Sequence, residues 1–356
     1  MTWKKDILQQ NDGRTVQAQY PVIVSASRST DIPAFYADWF LHRLKEGYSV
    51  WQNPFSGARS YVAYRDTRFI VFWSKNPRPL LTSGLLDWLD EHGISCYVQY
   101  SLNNYEPEEL EAGVPKLDYR LDTFKMLVDR LGRGRVVWRF DPLLLTDAVS
   151  SDLLLDRIAQ IGDQLDSYTE KLVFSYADII GYKKVKKNLE EDGVHYIDWT
   201  EHMMTDFAAR LARLNSRWHY ELATCGEQVD LSAYGIAHNR CVDDRLMIRF
   251  AYKDSALMRF LKVKFHAMPE PDLFGNTPSL PADAIVLPNG TYATHGNNRD
   301  TGQRPFCCCA ASKDIGQYNT CIHDCAYCYA NASKAVARDN YKSHRLNPTA
   351  ETITGH

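Results

Sequence analysis

Six short apolar runs, each followed by an amphipathic stretch, constrain this chain more than any other feature. They are PVIVSAS (21–27), RFIVFWS (68–74), ISCYVQYS (94–101), RVVWRFD (135–141), KLVFSYA (171–177) and WHYELAT (218–224). Their β-branched and aromatic side chains suit strands. Among them lie FYADWFLHRLKEG, LLTSGLLDWLDEHG, LDTFKMLVDRLG, SDLLLDRIAQIGDQL and HMMTDFAARLARLN, which space their apolar residues as helices do and in several cases end at Gly or Asn. Strands apolar on both faces that alternate with helices predict a parallel sheet covered by helices. No Gly-x-Gly-x-x-Gly follows the first run, and polar residues recur just after several of them. The expected class is therefore α/β, a full or partial (β/α) TIM-like barrel in preference to an open doubly wound sheet.

The pattern weakens past residue 226. We expect a barrel core over 1–226, its completion with a Pro-rich segment (MPEPDLFGNTPSLP) over 227–300, and a cysteine segment over 301–356 that caps the C-terminal face of the strands. A final helix is expected in YANASKAVARDNY. With 45% hydrophobic and 24% charged residues the chain has the composition of a folded protein. Its 41 basic and 44 acidic residues leave a net charge of -3, which argues against extended nucleic-acid binding. No apolar run reaches the roughly 18 residues of a membrane span, and MTWKKDILQQNDG lacks the apolar stretch of a signal peptide, so a cytoplasmic protein without membrane contact is expected.

Six of the nine cysteines (Cys307, Cys308, Cys309, Cys321, Cys325 and Cys328) fall within 22 residues. In a reducing compartment such a density points to metal or redox chemistry ahead of disulfides. The segment 321–329, CIHDCAYCY, sets Cys321-x3-Cys325-x2-Cys328 with Tyr327 before the last cysteine. A structural zinc or an electron-transfer cubane normally takes four protein ligands, so a tight set of three predicts an iron–sulfur cluster with one iron open. A zinc knuckle completed by His323 or by a cysteine from 307–309 is the alternative. A second set, Cys225, Cys241, Cys307 and Cys309, is expected to converge on another centre, an auxiliary 4Fe-4S cluster or else zinc. Cys308 is a substitute for either neighbour, and Cys96 belongs to the core.

The Cys-x3-Cys-x2-Cys spacing with an aromatic residue before the third cysteine resembles the signature of the radical S-adenosylmethionine (radical SAM) superfamily. The longer set SRSTDIPAFY, FWSKNP, WRFDP and SKDIGQYNTCIHDCAYCYAN resembles, over nearly the whole chain, an uncharacterised bacterial family described as a domain of unknown function with a radical-SAM-like C-terminal cysteine cluster. The resemblance implies that Cys321, Cys325 and Cys328 hold a 4Fe-4S cluster whose fourth iron binds S-adenosylmethionine, and that Tyr327 packs near its adenine. It also implies an enzyme, an oxidoreductase or lyase, that makes a 5'-deoxyadenosyl radical and attacks a small-molecule or single-nucleotide-lesion substrate. A reductant such as a flavodoxin or ferredoxin would supply the electron.

Polar residues after the strand ends are candidates to hold cofactor and substrate, because the C-terminal rim is where barrels bind ligands. They are Arg28, Ser29 and Asp31, Lys75 and Asn76, Asn103 and Asn104, Arg139 and Asp141, and Ser175 and Asp178. Glu221, within the sixth run, is a candidate to point inward. Two readings without radical chemistry compete: a zinc-stabilised barrel acting as a binding protein or hydrolase, and a non-catalytic iron–sulfur electron carrier.

Overall fold

The structure, a computed structural model, describes residues 3–10, 12–53, 56–270, 278–304 and 306–355. Its centre is a sheet of eight parallel strands, β1 (Ile23–Ala26), β2 (Phe69–Ser74), β3 (Ser95–Ser101), β4 (Val136–Leu143), β5 (Lys171–Tyr176), β6 (Glu221–Thr224), β7 (Ile236–His238) and β8 (Lys313–Asp314). The six apolar runs supply β1 to β6. β7 and β8 come from the two later stretches, so one sheet draws on the whole chain. Its lateral order is β7-β6-β5-β4-β3-β2-β1-β8, which is chain order with the last strand beside the first. Among the described residues no ladder joins β7 to β8; Ala310 N donates to Val242 O at 2.8 Å between the segments that follow β7 and precede β8.

Helices connect successive strands: α1 (Ala37–Glu46), α2 (Leu85–Glu91), α3 (Leu117–Leu131), α4 (Ser151–Leu165), α5 (Lys183–Glu191) and α6 (Glu201–Leu214). Alternate strand residues, Val24, Phe72, Val98, Trp138, Phe140 and Phe174, share a core with Phe40, Phe124, Ile158 and Phe207 from this layer. Each such side chain, fully buried, stabilises the fold by about 1.5–3 kcal/mol. The intervening residues Ile23, Phe69, Val71 and Tyr97 face the other way, onto Met247 and Ile248 of α7 (Asp244–Ala251) and Leu257 of α8 (Ser255–Phe260). Asp243 and Asp254 start these two short helices, each accepting backbone N–H bonds through its side chain. Both faces of the sheet are thus covered, as its two-sided apolar strands require.

The final helix forms as α9 (Lys334–Leu346), begun by the Ser333 cap. Besides a two-stranded pairing of Leu145–Thr146 with Tyr196–Ile197, two smaller sheets have no counterpart in the sequence reading. Lys5–Gln9, Thr15–Gln19, Arg59–Ala63 and Tyr48–Gln52 make one, and Lys264–Ala267, Thr291–Thr294 and Ile285–Val286 the other. Of the Pro-rich segment, 271–277 lies outside the described residues. No helix of the described residues is long and apolar enough to cross a membrane.

Candidate metal and cofactor site

β8 feeds directly into the cysteine loop, and the loop is tied to the C-terminal ends of β1, β2 and β3. Asp314, at the end of β8, accepts from Ser27 Oγ (2.8 Å) and from Arg28 N (2.9 Å). Thr30 Oγ1 meets Gln317 O and Thr320 Oγ1, each at 2.7 Å, and Tyr36 OH donates to Thr320 O at 2.6 Å. Gly316 is obligatory here, because a Cβ at that position would sit 1.7 Å from Ser27 Oγ. On the far side Gly113 N donates to His323 O (2.8 Å) and Ala326 N to Leu110 O (2.9 Å). Asn188 of α5 donates to Cys328 O at 2.9 Å.

His323 does not face the cysteines as a free donor. Its Nε2 lies 2.7 Å from Asp31 Oδ2 and its Nδ1 3.3 Å from Gly113 O, so both ring nitrogens are engaged. Asp31 is fully used as well, accepting from Ala34 N, Ser74 Oγ and Lys75 N. Burial works against its charge, but the bonds from His323 and its other donors hold the carboxyl below the ordinary range.

Tyr327 is turned into a buried polar cluster beneath the loop. Its hydroxyl donates to Glu111 Oε1 and lies 3.0 Å from Lys75 Nζ and 3.2 Å from Asn103 Nδ2. Lys75 Nζ reaches Glu111 Oε1 at 2.7 Å, and Arg120 Nη1 is 3.7 Å from Glu111 Oε2. Burial alone would raise the Glu111 carboxyl, yet Lys75 and Arg120 bring it down to about 2. The Tyr327 phenol thereby serves as an anchor for the loop.

Burial pushes the thiols of Cys321, Cys325 and Cys328 above their ordinary range. As free thiols they keep their protons, and a bound metal cation is what turns such buried sulfurs into thiolates.

The second cysteine set is also brought together. Cys225 Sγ and Cys241 Sγ are 3.2 Å apart, and Cys309 is in side-chain contact with both Cys241 and Cys307. Cys308 instead turns toward Phe306 O, and Cys96 is buried in the core, as expected. Among the described residues no three Cys, His, Asp or Glu side chains already surround one ion-sized position.

The rim residues divide into spent and unspent. Arg139 donates to Asp141 Oδ2, to Gln99 Oε1 (3.2 Å) and to Cys241 Sγ (3.1 Å), and Ser175 donates to Asp141. Arg28 stacks over Trp73 with 5.5 Å from Cζ to ring centroid, leaving its Nη2 buried without a hydrogen-bond partner; Asn76 Oδ1 is likewise buried and unpartnered. Asp178 caps its own turn through Gly181 N (2.8 Å). Glu221 departs from expectation. It starts β6, at the end of the strand away from the rim, its side chain is 64% exposed and it pairs with Lys171 Nζ at 3.0 Å.

A family model described as a domain of unknown function, DUF1848, matches residues 23–330. The chain belongs to the DUF1848 family. No curated protein and no solved structure matches it. The matched DUF1848 span opens at β1 and closes two residues past Cys328, so it takes in the large sheet and both cysteine sets.

Three residues of this DUF1848 chain that matter to the site escaped the sequence reading. Glu111 lies in a loop without periodicity, and its one signal was that a buried Lys75 needs a counter-charge. Trp73 reads as one more strand aromatic. Glu227, which accepts from Tyr176 N at 2.9 Å, is raised to about 7 chiefly by burial, against that hydrogen bond.

Proposed function

We propose that this DUF1848 protein is a radical SAM-type enzyme, with Cys321, Cys325 and Cys328 as the three protein ligands of a 4Fe-4S cluster whose fourth iron is left for the amino and carboxylate groups of S-adenosylmethionine. The observation that carries the reading is the state of His323. The histidine that would complete a zinc knuckle has both nitrogens committed to Asp31 and Gly113, and Cys307 and Cys309 are gathered with the other cysteines. Three sulfurs then remain to the loop, a number that suits a cluster with an open corner. When bound and reduced, such a cluster would supply one-electron chemistry for cleaving the cofactor's sulfonium bond.

The chain's own groups bind, orient and shield. Arg28 Nη2 and Asn76 Oδ1, buried and unpartnered at the ends of β1 and β2, are the atoms with capacity for a polar cofactor. The Glu111–Lys75–Tyr327–Asn103 cluster fixes the loop from below, which keeps the cysteines in place as the site loads. We read the sheet as a (β/α) barrel opened at one seam, since chain-order strands with the last beside the first are what such closure needs. A cytoplasmic enzyme, a flavodoxin or ferredoxin as electron donor, and a small-molecule or single-nucleotide-lesion substrate belong to the same proposal.

The test is anaerobic reconstitution of the full chain with iron and sulfide, followed by spectroscopy with and without S-adenosylmethionine. A 4Fe-4S signal that shifts on adding the cofactor is expected. A signal indifferent to the cofactor, or zinc held by Cys321, Cys325 and Cys328, would overturn the proposal.

A further inference from the structure

The segment after β7 and the segment before β8 meet where the large sheet has no strand pairing, and all four cysteines of the second set lie around that gap. Cys225 follows β6, Cys241 follows β7, and Cys307 and Cys309 precede β8. β7 is laddered to β6 on one side and β8 to β1 on the other, so the two edges have neighbours on their outer flanks and none toward each other among the described residues.

We propose that Cys225, Cys241, Cys307 and Cys309 form a closed tetrathiolate metal centre that staples this seam, a structural site separate from the Cys321 loop. Four observations converge on it. The sulfurs form a continuous chain of contacts, 225 to 241 to 309 to 307, with the first pair 3.2 Å apart. That distance is far too long for a disulfide of about 2.05 Å. It is near the roughly 3.8 Å between sulfurs that a tetrahedral ion with bonds of about 2.3 Å imposes.

The sulfurs also receive N–H donors, as metal-bound thiolates do. Arg139 Nη1 and Asn239 Nδ2 each lie 3.1 Å from Cys241 Sγ, and Val242 N lies 3.4 Å from Cys309 Sγ. A divalent ion bound by four thiolates carries a net charge of two minus and releases four thiol protons on binding. A cationic side chain stands ready for that charge, Arg139, whose Nη1 lies against Cys241 Sγ. Because among the described residues no three donors yet surround one point, loading the centre requires the four sulfurs to close in on it. That movement pulls the β6–β7 edge onto the lead-in to β8, where Ala310 N already reaches Val242 O.

The shared chemistry is a thiophilic centre with four protein thiolates, and either a zinc ion or an iron–sulfur cluster supplies it. The assignment stands apart from the reading of Cys321, Cys325 and Cys328, and its test is arranged to keep the two separable. The full chain carrying Cys321→Ala, Cys325→Ala and Cys328→Ala together is purified anaerobically and analysed for zinc, iron and acid-labile sulfide. We expect metal to remain, as about one zinc, or as about four irons with matching sulfide, the two arms naming the centre. Adding Cys241→Ser is expected to remove it. Alkylation of native protein with residue-by-residue mass mapping covers the case in which that variant fails to fold. Cys225, Cys241, Cys307 and Cys309 should resist reagent until a chelator is added, and then react together while the melting temperature falls. A triple variant free of metal, metal retained after Cys241→Ser, or labelling of the four cysteines that a chelator does not change would each overturn the proposal.

Discussion

His323 Nε2 lies 2.7 Å from Asp31 Oδ2, with the two side chains only 2% and 6% exposed. This bond ties the middle of the cysteine loop to the turn after β1. It also assigns the histidine to holding the loop in place. His323→Ala is expected to lower the unfolding free energy of metal-free protein by about 1.5–3 kcal/mol, the range for a hydrogen bond to a charged group. Urea unfolding of the apo-protein checks this. A histidine that acted as a metal ligand would leave apo stability unchanged and alter only the loaded form.

Glu111 supplies a pH dependence with a definite sign. Its carboxyl sits at about 2 in the folded protein, held down by Lys75 and Arg120 against the opposing effect of burial, compared with an ordinary value of 4.5. A depressed carboxyl stabilises the fold above its unfolded value and loses that contribution as pH falls through the folded one. The difference corresponds to about 3 kcal/mol, lost between roughly pH 4.5 and pH 2. Denaturant midpoints across that window should fall for the native chain. In Glu111→Gln the acid limb should be shallower, from a lower starting stability, because two buried cations lose their counter-charge.

Gly113 tests how closely the loop must dock. A Cβ there would stand 2.7 Å from Ile322 O and 2.8 Å from His323 O, both backbone atoms with little room to give. Gly113→Ala is expected to cost about 1–3 kcal/mol, as overpacking does. It should also reduce iron retained at the Cys321 loop while the second cysteine set keeps its metal. Thermal unfolding combined with metal analysis separates the two effects.

Asn76 offers a direct probe of cofactor contact, since its Oδ1 is buried and unpartnered. A hydrogen bond that this oxygen accepts from a charged ligand group is worth about 1.5–3 kcal/mol. Asn76→Ala should therefore weaken S-adenosylmethionine binding about tenfold or more at unchanged iron content, as read by calorimetry of the loaded protein. Unchanged affinity would remove Asn76 from the site.

Much of this arrangement is legible in the sequence because apolar periodicity reports burial. β1 to β6 carry side chains such as Ile70 and Val71 that are buried on opposite faces, so their runs stand out. The strand Lys5–Gln9 is mostly exposed, Thr15–Gln19 alternates polar and apolar over only five residues, and β8 is two residues long, so none of them stands out as the long apolar runs do. That Cys225 and Cys241 lie side by side, 3.2 Å apart, could be anticipated from their places at the ends of neighbouring strands. The commitments of Asp31 and Tyr327 could not, since they depend on His323 and Glu111, residues brought close only by the fold. Glu221 shows the complementary failure: a charged residue within a predicted strand is expected to point inward, but the strand begins at that residue and its side chain is exposed.

The central claim is that three sulfurs of one loop leave a cluster corner open to a sulfonium cofactor. Its most direct test is to incubate reconstituted protein anaerobically with dithionite and S-adenosylmethionine and to quantify 5'-deoxyadenosine. The prediction is release by the native chain and none by Cys325→Ala. Absence of release from a native chain carrying a full 4Fe-4S complement, or equal release from Cys325→Ala, would contradict it.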